Sequence, residues 1–73
     1  MPRIEFQLEH EYVELNQLLK LAGVCDSGGA GKVLVASGGV MVDGVVESRK
    51  TAKIRAGQTV AIDDLQILVK PPV

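Results

Sequence analysis

Ser37-Gly38-Gly39-Val40-Met41-Val42-Asp43-Gly44-Val45-Val46, running on into Glu47-Ser48-Arg49-Lys50-Thr51-Ala52-Lys53, is the stretch on which the reading of this chain turns. Val40 and Val42 alternate with Met41, so a strand here has one apolar face. Asp43-Gly44 supplies a two-residue turn, because both central residues of a type I′ turn need positive φ, which Gly and Asp tolerate. A β-hairpin is therefore expected across this stretch. Arg49, Lys50 and Lys53 follow it within five residues. An apolar hairpin with a cationic exit is a device for presenting charge to a phosphate backbone.

Upstream, Arg3-Ile4-Glu5-Phe6-Gln7-Leu8 alternates polar and apolar, which predicts a half-buried strand at a sheet edge. From Val13 the period changes. Leu15, Leu18, Leu19 and Ala22 fall at i, i+3, i+4 and i+7, the stripe of an amphipathic helix that Gly23 stops. His10-Glu11-Tyr12 offers this helix no Ser, Thr, Asp or Asn as N-cap. A second helix is expected after Asp26-Ser27, either of which can cap it, with Ala30, Val33, Leu34 and Ser37 on one face and Lys32 off that stripe. Its three glycines, Gly28, Gly29 and Gly31, each cost up to about 1 kcal/mol relative to Ala, so it depends on packing against the first helix.

Downstream of the hairpin, Ala56-Gly57-Gln58 reads as a turn, Thr59 to Ile62 as a strand, Asp63-Asp64 as a turn and Leu65 to Val69 as a last strand before Pro71-Pro72. The predicted order is β-α-α-β-β-β-β, two packed helices on a small, mostly antiparallel sheet: an α+β domain. The 73 residues, 47% hydrophobic and 23% charged, fit one small folded domain spanning residues 1–73. No apolar run reaches bilayer-spanning length, and an N-terminus holding Arg3, Glu5 and Glu9 does not resemble a signal peptide, so a cytoplasmic location is expected.

Little in the chain points to catalysis. Cys25 is the single cysteine, read as a small hydrophobe filling a loop rather than as a reactive thiol. One Cys and one His cannot complete a zinc site, so no metal is expected. His10 has no nucleophile beside it, and Asp63-Asp64 read as turn residues rather than an acid–base pair. Ser27-Gly28-Gly29-Ala30-Gly31-Lys32 superficially resembles a nucleotide loop, but G-x-x-x-x-G-K-[ST] needs Gly at 26 and Ser or Thr at 33, where Asp26 and Val33 stand. No nucleotide cofactor is expected. Two readings of these glycines stay open: an anion approaching the start of a helix, or close helix packing.

Charge is the remaining signal. The net charge is −1, yet residues 1–19 hold one cation against four carboxylates, whereas residues 20–58 hold six of the eight cations against three carboxylates. Lys20, Lys32, Arg49, Lys50, Lys53 and Arg55 therefore define a candidate phosphate-binding face. No aromatic residue lies near them in sequence, which argues against stacking on single-stranded bases and for recognition of folded RNA by shape and phosphate contact.

Taken together, Leu15-x-x-Leu18-x-x-x-x-Gly23-x-x-x-Ser27, then Leu34-Val35-x-x-Gly38-x-Val40-x-Val42-Asp43-Gly44, then Lys53 and Gly57-Gln58-Thr59-Val60, resembles the S-four RNA-binding domain, or alpha-L motif, over residues 12–62. The extra N-terminal strand and short C-terminus resemble its small stand-alone bacterial members. The resemblance implies that two helices and the following hairpin form one RNA-facing surface, with Ser27 opening the second helix. Many members place Arg directly after that Ser, where this chain has Gly28, and Ala where it has Gly31. The missing Arg removes a bidentate phosphate donor; Gly28 leaves room for a phosphate to reach backbone N–H groups.

The expected function is that of a non-catalytic protein binding structured RNA, ribosomal or transfer RNA by family, alone or within a ribosome or other ribonucleoprotein, through Lys20, Ser27, Lys32, Arg49, Lys50, Lys53 and Arg55. The alternative is a protein–protein interaction module that retains the fold without RNA, using a sheet edge near Ile4, Phe6 and Leu8.

Overall fold

The Asp43-Gly44 turn forms as its residues require: Asp43 has φ 52° and Gly44 φ 83°. The structure, a computed structural model, describes residues 2–73. Their elements are β1 (Arg3–Gln7), β2 (Tyr12–Glu14), α1 (Leu15–Leu21), α2 (Gly28–Ala36), β3 (Val40–Val42), β4 (Val45–Val46), β5 (Lys53–Arg55), β6 (Thr59–Ile62) and β7 (Leu65–Lys70).

Five strands make one sheet in the order β1-β7-β6-β3-β4. The β1–β7 pair is parallel, with Phe6 opposite Val69, and the other pairs are antiparallel. As the alternation in residues 3–8 predicts, β1 takes an edge. The inward residues of the sheet, Val40, Val60, Ile62, Ile67 and Val69, meet Leu15, Leu18 and Leu19 of α1 and Val35 of α2 in one core. Each of those three leucines is fully removed from water, which stabilises the fold by about 2 kcal/mol apiece.

Two strands were not predicted. The residues expected to start the first helix, from Val13, instead form β2, which pairs antiparallel with β5 as a separate two-stranded ribbon. The order is thus β-β-α-α-β-β-β-β-β rather than β-α-α-β-β-β-β. A three-residue strand is too short to show a period, and its partner lies more than half the chain away in sequence.

The ribbon also resolves the missing helix cap. Glu14, the residue before α1, makes no side-chain cap. The backbone N–H of Leu15 donates to the Ala52 carbonyl at 2.8 Å, and that of Asn16 to the Lys50 carbonyl at 3.1 Å. The segment entering β5 therefore supplies the acceptors that a local side chain would normally provide. In α2 the cap is local: the Ala30 N–H donates to Ser27 Oγ at 3.1 Å.

The buried face of α2 also differs from expectation. Val33 is 71% exposed and Ala30 and Ser37 are exposed, while Gly31 and Val35 are buried. Leu34 alone of the predicted face packs against the core. The cause is Gly31. A Cβ built there would lie 2.6 Å from the Asn16 carbonyl oxygen, so the helix backbones meet at this point and turn the bulkier neighbours outward.

Candidate nucleic-acid interface

Asn16 organises the candidate surface, and no motif singled it out. It sits in the first turn of α1, 2% exposed. Its backbone N–H holds the Lys50 carbonyl, and its Nδ2 donates to the Gly28 carbonyl at 3.3 Å. One buried residue thus ties the start of α2 to the basic loop after the hairpin. Its Oδ1 has no hydrogen-bond partner. The available signal was a polar residue beside the Leu15/Leu18/Leu19 stripe.

Around this hub stand several of the sequence-predicted residues. Ser27 is the exposed cap of α2, and Lys32 is exposed one residue beyond the Gly31 contact. Lys20 is exposed four residues after Asn16, on the same side of α1. Lys50 is exposed at the loop held by Asn16. Gly28 faces two amide side chains of α1. A Cβ at this position would approach Gln17 Nε2 to 2.8 Å and Asn16 Nδ2 to 3.3 Å, so a larger residue here would displace the flexible end of Gln17 and crowd the Asn16 amide.

Lys53 and Arg55 belong to the ribbon. Residues alternate across a strand, so Lys53 and Arg55 point outward while Ile54 is buried. Tyr12 lies directly opposite Arg55. Lys53 Nζ is 5.0 Å, and Arg55 Cζ 5.5 Å, from the centroid of its ring. The expectation of a cationic face without aromatics is therefore wrong. Tyr12 is remote in sequence from the cations and is brought among them by the β2–β5 register.

Arg49 is held differently from the lysines. Its Nε donates to Glu47 Oε2 at 3.1 Å and its Nη2 to Oε1 at 3.0 Å, while its backbone N–H donates to Oε2 at 3.0 Å. The hydrogen bonds from the Arg49 side chain and backbone lower the Glu47 carboxyl from an ordinary 4.5 to about 2. The guanidinium remains exposed, and with Thr51 and Lys53 it borders a shallow depression of about 370 Å³. Its charge is already opposed by a carboxylate.

Cys25 is half-buried against the core. Among the described residues no group of three or more His, Cys, Asp and Glu side chains is placed to hold a metal, and no helix is long and apolar enough to cross a membrane. Asp63, at φ 53°, is a turn residue between β6 and β7.

Two short helices packed through a glycine, a capping serine, and a Gly-turn hairpin leading to a basic strand make up the arrangement implied by the motif order. A family model described as the S4 domain matches residues 6–70. The chain belongs to the S4 domain family. This S4 domain is 55% identical over 53 residues to the protein named "Putative RNA-binding protein YbcJ" of Escherichia coli (strain K12), covering 73% of this chain and 76% of that one. The protein named "Uncharacterized protein YbcJ" of Shigella flexneri matches to the same extent. The solution structure of YbcJ from E. coli, described as revealing an alpha-L motif involved in RNA binding, aligns with a TM-score of 0.65 at 48% identity, over 88% of this chain and 85% of that one. The α+β class and the alpha-L resemblance both hold for this S4 domain.

Proposed function

We propose that this chain is a non-catalytic RNA-binding protein of the cytoplasm that docks on structured RNA chiefly through phosphates. The observation that carries the reading is the hub at Asn16, which places the start of α2 and the Lys50 loop around one helix turn. Lys20, Ser27, Lys32 and Lys50 form one part of the contact, and Lys53 and Arg55 on the adjoining ribbon form the other, with Arg49 secondary. The relatives' printed descriptions support RNA as the ligand class. Ribosomal or transfer RNA, alone or within a ribonucleoprotein such as the ribosome, is the target by family. Of the carboxylates in residues 1–19, Glu5 pairs with Lys70 and Glu14 lies opposite Lys53 across the ribbon, so the Lys53 end of this face is partly offset while Lys20, Lys32 and Lys50 form no ion pair among the described residues.

The test is fluorescence anisotropy with labelled structured RNA, matched duplex DNA and single-stranded RNA at several salt concentrations. Tightest binding to structured RNA is expected, with a log–log salt slope corresponding to about three to five phosphate contacts. Charge reversal at Lys50 and Lys53 together should weaken binding and flatten that slope. Unchanged affinity in this double variant removes these residues from the site.

The rival reading, a protein-docking module, is weakened at its expected location. Leu8 is 2% exposed and belongs to the core, with Ile4 and Phe6 packed against it. Exposed apolar side chains lie elsewhere: Val45 and Val46 of β4, at the opposite edge of the sheet, are 69% and 57% exposed, and Leu21 and Val33 on the helices 59% and 71%.

A further inference from the structure

Tyr12 is the only tyrosine in the chain, which has no tryptophan. A tyrosine serving the core would take the inward position of its neighbour Val13, which packs on the core opposite Ile54. Tyr12 instead faces outward and keeps 37% of its surface. The half-buried Val13 and buried Ile54 beneath it anchor the ribbon to the core. Lys53 and Arg55 approach the ring, as given above; Glu14 lies opposite Lys53 in the ribbon but forms no ion pair with it, the ion pairs of the described residues being Arg49–Glu47 and Lys70–Glu5. The ring also walls a groove of about 290 Å³ shared with Phe6, His10 and Leu21. That is at the lower limit of small-molecule sites, about right for a single flat ring and too small for a larger ligand.

We propose that Tyr12, flanked by Lys53 and Arg55, is a stacking platform for one unpaired base, so that the protein prefers RNA with an unpaired nucleotide beside a helix over uninterrupted duplex. This rests on the RNA-binding reading above and adds the kind of RNA selected. The faces of bases within a duplex are covered by their neighbours, whereas a looped or bulged base offers a free face to an aromatic ring. The two cations hold the phosphates flanking that base, and the Arg55 guanidinium provides a second planar surface next to the ring. Stacking tolerates any base, so the selection is for RNA shape rather than for sequence.

The experiment uses the chain's single aromatic reporter. Wild-type protein is titrated with a hairpin RNA carrying an adenine-rich loop and with the same stem as a blunt duplex, following RNA anisotropy and tyrosine emission together. The hairpin is expected to bind more tightly and to quench the tyrosine. Tyr12→Leu should lose about five- to a hundredfold in affinity for the hairpin and little for the duplex, while Tyr12→Phe should retain the preference. Hairpin binding without quenching, or equal hairpin affinity in wild type and Tyr12→Leu, overturns the platform and leaves the RNA reading standing. The quenching measurement needs no variant, so a poorly folded Tyr12→Leu does not blunt the test. If no RNA binds the wild type saturably, the RNA reading fails, and the platform with it.

Discussion

At Gly31 two ordinary rules about glycine give opposite signs. Replacing a helical glycine by alanine usually stabilises, because alanine has less conformational freedom to lose. Here a methyl group would lie 2.6 Å from a backbone carbonyl, an atom that moves only if the helix moves. Gly31→Ala is therefore expected to destabilise by about 1–3 kcal/mol in urea unfolding. Gly29 is the internal control: its added Cβ would come no nearer than 3.8 Å to Ser27 Oγ, so Gly29→Ala should stabilise by up to about 1 kcal/mol. If both substitutions stabilise, the helices do not pack as closely as described. The sequence left the glycines of α2 between ligand access and close packing. The choice depended on which glycine faced Asn16, and composition carries no such information.

At the scale of elements, the β3–β4 hairpin does more than turn the chain. Asp43 Oδ1 accepts the Thr59 N–H at 3.0 Å, and its Oδ2 accepts from Gln58 Nε2 at 3.3 Å. Gln58 Oε1 in turn accepts the Arg55 N–H at 2.7 Å. The hairpin tip is thereby fastened to the end of β5, the strand that carries Lys53 and Arg55. Asp43→Ala loses these acceptors and places a methyl-bearing residue at positive φ, at a cost of about 1–3 kcal/mol. Asp43→Asn keeps an acceptor oxygen and tolerates the left-handed conformation, so it should lose less than half as much by thermal unfolding. Equal losses in the two variants would mean that charge, rather than turn geometry and hydrogen bonding, holds the tip. The turn itself was legible because Asp-Gly has a local conformational reason to form. Its fastening to Gln58 and Thr59 was not, because it depends on the register of β3 against β6.

For the whole molecule, acid stability has one local contributor whose sign can be worked out. The folded-state carboxyl of Glu47 titrates at about 2 instead of 4.5. Between those values the unfolded chain binds the proton more readily, so stability is lost as the pH falls. The contribution of the Glu47–Arg49 clamp is fully present above about pH 5 and fades toward about pH 2. Arg49 is largely exposed, so solvent screening keeps the effect small. The difference in Tm between wild type and Glu47→Gln should be constant above about pH 5 and shrink as the pH approaches 2. A difference that stays unchanged over this range would show that the clamp does not persist in solution.

The division between sequence and tertiary structure follows from the range of the interactions involved. Local regularities were enough to specify the leucine stripe of α1, the Ser27 cap of α2, the turns at Asp43-Gly44 and Asp63-Asp64, and the concentration of cations between residues 20 and 58. Each depends on residues within a few positions of one another. Only the folded chain decided that Tyr12–Glu14 would pair with Lys53–Arg55, that carbonyls of residues 50 and 52 would cap α1, and that Asn16 would join the start of α2 to the basic loop. These contacts close long loops of chain, and they form because packing the core brings both partners to the same place. Tyr12 reaches its two cations by the same route, which is why an aromatic ring absent from the basic stretch of sequence lies at the centre of the basic ribbon.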